Sequence, residues 1–103
     1  MADAADEAAD AAVLALFDVL GRRWALRVLW ELRAGGLTYR ELAAQVPDMS
    51  TSVLTQRLRE LRTAHLVEHE RGSGYRLTAD GSNLLGHIAD LRDWAGRVGF
   101  SAD

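Results

Sequence analysis

The sequence predicts a mainly α-helical domain that contains one small β-hairpin. Apolar residues recur at three- and four-residue intervals along most of the chain, which is typical of amphipathic helices. Two short alternating segments flank Gly72-Ser73-Gly74, a turn that tolerates positive φ, and they predict the hairpin. At 103 residues the chain has the length of a single small domain, residues 1–103.

The first helix is predicted over residues 8–20, with its end near Gly21. Its apolar residues follow the i, i+3, i+4, i+7 pattern of one helix face. They are Val13, Leu16, Phe17 and Leu20. Residues 1–7, which are alanine or acidic after the initial Met1, are expected to be flexible and solvated.

A second helix is predicted from Trp24 to Leu32, before Gly35-Gly36 stops it. Leu26, Leu29 and Trp30 lie between the residues of its apolar face, so that the segment is apolar almost all round. A helix with this pattern is expected to be buried at the centre of the domain.

A helix-turn-helix is predicted over residues 39–64. Thr38 and Glu41 have the spacing of a capping box, which starts a short helix, and Pro47 closes that helix. Ser50 is a good N-cap for the next helix. The core side of that helix is a leucine stripe, Leu54, Leu58 and Leu61.

The hairpin is predicted over residues 66–78 and the last helix over 79–98, with Thr78 as its N-cap. Apolar residues of the last helix form a seam in steps of four and three. They are Leu84, Ile88, Leu91, Ala95 and Val98. The complete order of elements is that of a winged helix-turn-helix, five helices plus a wing.

This order predicts binding of double-stranded DNA, with the helix at 50–64 in the major groove and the wing on the backbone. Gln and Arg can read adenine and guanine, while Ser and Thr bind bases or phosphates. The candidate DNA-binding residues are Arg40, Ser50, Thr51, Ser52, Thr55, Gln56, Arg59, Arg71 and Arg76.

The charge distribution favours the same function. The formal net charge is −5 over residues 1–18, +4 over 19–76 and −2 over 77–103. A basic middle between acidic ends is typical of a molecule that offers one face to a polyanion. A solvated polar face, or a winged-helix module that binds an acidic protein, remains the alternative interpretation.

Four segments resemble a known family. They are GRRWALRVLWEL (21–32), TYREL (38–42), LTQRLRELRTAHLV (54–67) and YRLTADG (75–81). In these segments the chain is similar to the HxlR family of bacterial winged helix-turn-helix transcriptional regulators, over about residues 14–95. The resemblance implies a homodimer that is built from the first and last helices and binds a (pseudo)palindromic operator.

The expected dimer interface is apolar and lies on those two helices, because such a seam is too apolar for the surface of a small monomer. It comprises Val13, Leu16, Phe17, Leu20, Leu84, Ile88, Leu91, Trp94 and Val98.

Members of the family that sense quinones or aldehydes use a cysteine before the first helix. This sequence has no cysteine, so sensing of that kind is not expected. The position before Leu66-Val67, which is often Gly in the family, is His65 here.

Other functions are less well supported by the sequence. No Ser–His–acid set or paired carboxylates stand out, so a non-enzyme without a cofactor is expected. His65 and His69 straddle the boundary between helix and strand, so no metal site is expected. No apolar run is long enough for a membrane span, and a cytoplasmic location is the default expectation.

Trp24, Trp30 and Trp94 are candidates for a pocket that binds an apolar effector, although core packing is the simpler interpretation.

Overall fold

The structure is a computed structural model that describes residues 3–102. It contains α1 (Ala4–Leu20), α2 (Ala25–Glu31), α3 (Tyr39–Gln45), α4 (Thr51–Thr63), β1 (Val67–Glu70), β2 (Gly74–Leu77) and α5 (Ala79–Val98). The fold class predicted from the sequence, five helices plus a wing, is confirmed.

Helix α1 begins four residues earlier than predicted. The carboxylate of Asp3 accepts a hydrogen bond from the Asp6 backbone N–H at 2.9 Å and so caps the helix at Ala4. Residues 4–7, for which flexibility was expected, form the first turn, since alanine has the highest helix propensity. Residues 1 and 2 lie outside the described residues.

Helix α2 is central, but it is shorter and less buried than predicted. Trp24 is not within the helix; it precedes the helix as N-cap in the left-handed region, with φ of 76°. Val28 and Leu29 are fully buried, whereas Leu26 is 43% exposed and Trp30 is half-buried. Helices α1, α3, α4 and α5 all pack against α2. They leave Leu26 and Trp30 uncovered, so α2 has the predicted central position but is not buried on every side.

The core lies between α2, α3, α4 and the base of the wing, and α5 reaches it through Leu85. Its residues are Val28, Leu29, Leu32, Leu42, Val46, Met49, Leu54, Leu58, Leu61, Leu66, Val67 and Leu85. The predicted leucine stripe of α4 is therefore buried, and this burial fixes which face of α4 is exposed.

The wing pairs β1 with β2 in antiparallel register, with Val67 opposite Leu77 and Glu68 opposite Arg76. A third segment adds to this sheet, because Leu37 and Tyr75 exchange backbone hydrogen bonds of 2.9 and 2.7 Å. Gly74 has φ of 92°, and a Cβ at this position would overlap the backbone of Leu37. Glycine therefore allows the hairpin to lie against the segment that precedes α3.

Helix α5 begins tightly against the end of the α4–β1 connection. The Thr78 hydroxyl caps α5 by accepting from the Gly81 N–H at 3.0 Å, and it donates to the carbonyl of His65 at 2.7 Å. A Cβ at Gly81 would overlap the carbonyl of Leu66, so only glycine fits there. His65 itself is left-handed, with φ of 60°, at the position where the family often has glycine.

Candidate nucleic-acid interface

Helices α3 and α4 are held together by a tyrosine. The Tyr39 hydroxyl lies 2.8 Å from the Thr51 carbonyl and 3.0 Å from Thr55 Oγ1, and the Thr55 hydroxyl donates to the same carbonyl at 2.9 Å. The hydroxyl of Thr55, a candidate for contact with bases, thus already has partners within the protein. The hydrogen bond between Thr55 and Tyr39 helps to fix the angle between α3 and α4.

The N-terminus of α4 is exposed and capped. Ser50 Oγ accepts from the Val53 N–H at 3.2 Å, as the sequence predicted for an N-cap, and it lies 3.3 Å from Ser52 Oγ. Ser50, Thr51 and Ser52 are all exposed. Free backbone N–H groups and hydroxyls at a helix N-terminus are suited to bind a phosphate or a base edge.

Gln56 and Arg59 lie on the exposed face of α4 and are hydrogen-bonded to each other. Arg59 Nη1 donates to Gln56 Oε1 at 3.2 Å, and Gln56 Nε2 donates to Glu60 Oε2 at 3.0 Å. Both ends of the glutamine amide therefore have partners, and the long side chain is held in one orientation on the helix surface.

Glu60 connects this pair to the turn between α1 and α2. Its carboxylate accepts from Arg57 and, at 3.3 Å, from Arg22, which lies 38 residues away in the sequence. Arg57 Nε in turn donates to the Arg23 carbonyl at 2.9 Å. Burial acts to raise the pKa of Glu60, but the hydrogen bonds from Arg57 and Gln56 and the charges of Arg57 and Arg22 outweigh it. They lower the pKa, so that Glu60 remains a carboxylate.

The two arginines of the wing differ in whether they form ion pairs. Arg76 donates to Glu68 from Nε and to Glu70 from Nη1, both at 2.7 Å. The hydrogen bond to Glu68 and the charges of both carboxylates raise the pKa of Arg76. Arg71, at the tip, and Arg40, at the start of α3, form no ion pair within the part of the chain that the structure describes. Of the three arginines predicted to contact phosphates, Arg76 is therefore the one whose charge is already offset.

A second exposed surface lies on α1 and α5 and is apolar. Five of the nine residues predicted for the dimer interface are large exposed hydrophobics: Val13, Phe17, Leu91, Trp94 and Val98, with exposures between 40% and 60%. The other four, Leu16, Leu20, Leu84 and Ile88, are partly buried against the core. Leu14 and Phe100, which the sequence prediction did not include, are 66% and 69% exposed. We refer to Val13, Leu14, Phe17, Leu91, Trp94, Val98 and Phe100 as the apolar face.

The three tryptophans lie at different places in the chain. Trp24 precedes α2 with the Arg23 guanidinium 5.2 Å from its ring, and Trp94 is on the apolar face. Trp30 is one of the residues that line a cavity between α2 and α5. A pocket in which tryptophans of two chains meet stays a prediction.

Residues 3–102 contain neither a cluster of metal-ligating side chains nor a helix that could span a membrane. Within that range no three His, Cys, Asp or Glu side chains are grouped as metal ligands would be. None of the helices in the same range is both long and apolar enough to span a membrane.

Comparison with known proteins agrees with this geometry. The family model described as HxlR-like helix-turn-helix matches residues 19–101. The uncharacterized HTH-type transcriptional regulator YvaP of Bacillus subtilis (strain 168) is 29% identical over 84 residues, which cover 76% of this chain and 78% of that protein. The crystal structure of quinone-bound YodB from B. subtilis is 28% identical with a TM-score of 0.78, covering 82% of this chain and 94% of that one. A possible HxlR family transcriptional factor from Thermoplasma volcanium GSS1, 22% identical, shares the fold with a TM-score of 0.72; the match covers 82% of this chain and 81% of that one.

Proposed function

Since the chain belongs to the HxlR-like helix-turn-helix family of transcriptional regulators, we propose that it recognises a specific operator sequence as a homodimer. Its relatives carry the names of regulators and not of enzymes. The single observation that best supports sequence reading is the exposed side of α4. It is polar and free of core contacts, whereas the opposite side is a fully buried leucine stripe.

In this proposal α4 enters the major groove with its capped N-terminus first. Gln56 and Arg59 read base edges, because their paired hydrogen-bonding groups can distinguish one base pair from another. Ser50, Thr51 and Ser52 contact bases or phosphates near the helix start, and Thr55 contributes mainly by fixing α4 against Tyr39. Arg40 and Arg71 bind phosphates, which sets position and adds affinity without sequence preference.

The homodimer is proposed from the apolar face. Seven large hydrophobics with exposures between 40% and 69% on α1, α5 and the residues just after it are unusual for a monomer of this size. In the proposed dimer, two-fold pairing of this face buries these side chains, and the two copies of α4 read the two halves of a palindromic operator.

A DNA titration with a variant of Gln56 tests the reading role. Fluorescence anisotropy with the preferred duplex and a random duplex should show that Gln56→Ala costs about 1–3 kcal/mol on the preferred site only. Gln45→Ala, at the exposed end of α3, is the matched control and should leave both affinities unchanged. If Gln56→Ala weakened binding to both duplexes equally, α4 would not be the reading helix.

The same titration separates DNA binding from a role in binding proteins. Wild-type protein should bind duplex DNA at about 50 mM salt and lose affinity steeply by about 200 mM, because phosphate contacts release counterions. Failure to bind any duplex at the lower salt concentration would favour a winged-helix module that binds an acidic protein.

A further inference from the structure

A cavity of about 360 Å³ opens between α2 and α5. It is lined by Leu26, Arg27, Trp30, Leu85, Ile88 and Arg92. Its volume lies at the small end of the range of about 300–1,000 Å³ that is usual for small-molecule sites. It exists because the neighbouring helices leave Leu26 and Trp30 of α2 uncovered.

The walls and the rim of this cavity differ in chemistry. Leu26, Leu85, Ile88 and the Trp30 ring provide an apolar interior, and two arginines provide the polar groups. The Arg92 guanidinium lies 5.4 Å from the centre of the Trp30 ring, so its charge is held next to the aromatic wall. A few polar groups beside an apolar slot are what fixes the orientation of a small ligand.

The charges at the rim do not cancel. Arg27 is paired with Glu31 at 3.7 Å, and Glu31 Oε2 is buried without a hydrogen-bond donor from any of the described residues. Arg92 has no carboxylate partner among residues 3–102, and its contact with Trp30 leaves its N–H donors available. Arg92 is therefore a positive charge without an ion pair at the rim, and the Arg33 guanidinium, 4.2 Å from the centre of the same Trp30 ring, adds a second cation close to it. This arrangement favours an anionic ligand with an apolar body.

We propose that this cavity binds a small aromatic carboxylate, with its ring against Trp30 and Ile88 and its carboxylate on the guanidinium of Arg92. Arginine matches a carboxylate in a bidentate geometry, and such charge-assisted hydrogen bonds are the strong ones. Binding here does not depend on the DNA-binding proposal, because none of the six lining residues belongs to the proposed DNA face.

Calorimetric and NMR titration with 2-naphthoate as the probe tests the site. We expect saturable binding of one naphthoate per chain and a shift of the indole N–H signal of Trp30, which is identified by its loss in Trp30→Phe. The Trp24 signal serves as the internal control and should not move. The neutral 2-naphthamide should bind at least about tenfold more weakly, since it lacks the charge that meets Arg92.

Two arginine variants on α5 locate the anion. Arg92→Gln should weaken naphthoate binding by about tenfold, whereas Arg97→Gln, on the same helix outside the cavity, should change it by less than about twofold. Equal binding of naphthoate and naphthamide, equal effects of the two variants, or an unshifted Trp30 signal would each overturn the proposal. Absence of any binding at millimolar naphthoate would overturn it as well.

Discussion

Neutralising Glu68 and Glu70 should convert Arg76 into a residue that binds phosphate. In the free protein the Arg76 guanidinium donates to both carboxylates at 2.7 Å, so the three side chains together carry one negative charge. A phosphate would have to displace these two partners and would meet their repulsion. In the double variant Glu68→Gln/Glu70→Gln the same site carries one positive charge, and Arg76 is free to bind the DNA backbone.

The magnitude follows from counterion release. One added phosphate contact makes the slope of log K against log salt concentration more negative by about 0.9. For two variants that bind equally at about 1 M salt, this difference corresponds to about eightfold tighter binding at about 0.1 M salt. Anisotropy titrations of a random duplex over a range of salt concentrations measure this slope. Adding Arg76→Gln to the double variant should return the slope to about the wild-type value. If the double and triple variants had the same slope, the wing arginine would not be the group that the carboxylates restrain.

Three further predictions test other parts of the structure. Leu91→Asp places a carboxylate in the apolar face, and it should give a monomer in analytical ultracentrifugation with unchanged circular dichroism, since Leu91 is 60% exposed in the single chain. A persistent dimer would contradict the proposed interface. In urea unfolding, Gly81→Ala should lose about 3 kcal/mol because its Cβ overlaps a backbone carbonyl. Gly86→Ala, also on α5 but with open space around it, should gain about 0.8 kcal/mol from helix propensity, and equal effects would refute the packing at Gly81. Glu60→Gln should lower the preference of Gln56 for its base, as measured on preferred and random duplexes; an unchanged preference would contradict the role of Glu60 in orienting Gln56.

The sequence predicted the elements whose signals are local. The capping box of Thr38 and Glu41 is present, with Glu41 Oε1 accepting from the Thr38 N–H at 2.9 Å, and Ser50 and Thr78 cap their helices as predicted. A cap is set by residues within one turn of each other, so its spacing is visible in the sequence. The leucine stripe of α4 was visible for the same reason.

Contacts between distant segments were not predicted, because the periodicity of hydrophobic residues within one segment does not indicate which other segment it will contact. The bridge between Leu37 and Tyr75 and the ion pair between Arg22 and Glu60 each join residues 38 apart. The pairing of Glu68 with Arg76 depends on a three-residue turn at residues 71–73. The predicted turn at residues 72–74 lies one residue later and would have placed Glu70 opposite Arg76.

Selection of bound sequences from a pool of random duplexes, at about 0.1 M salt, tests the proposed function most directly. A homodimer that reads DNA through two copies of α4 should enrich an inverted repeat, with half-site centres about 10 base pairs apart or a multiple of that spacing. Selected sequences without any motif enriched over the starting pool, or with a single half-site and no inverted repeat, would contradict sequence-specific binding by a homodimer.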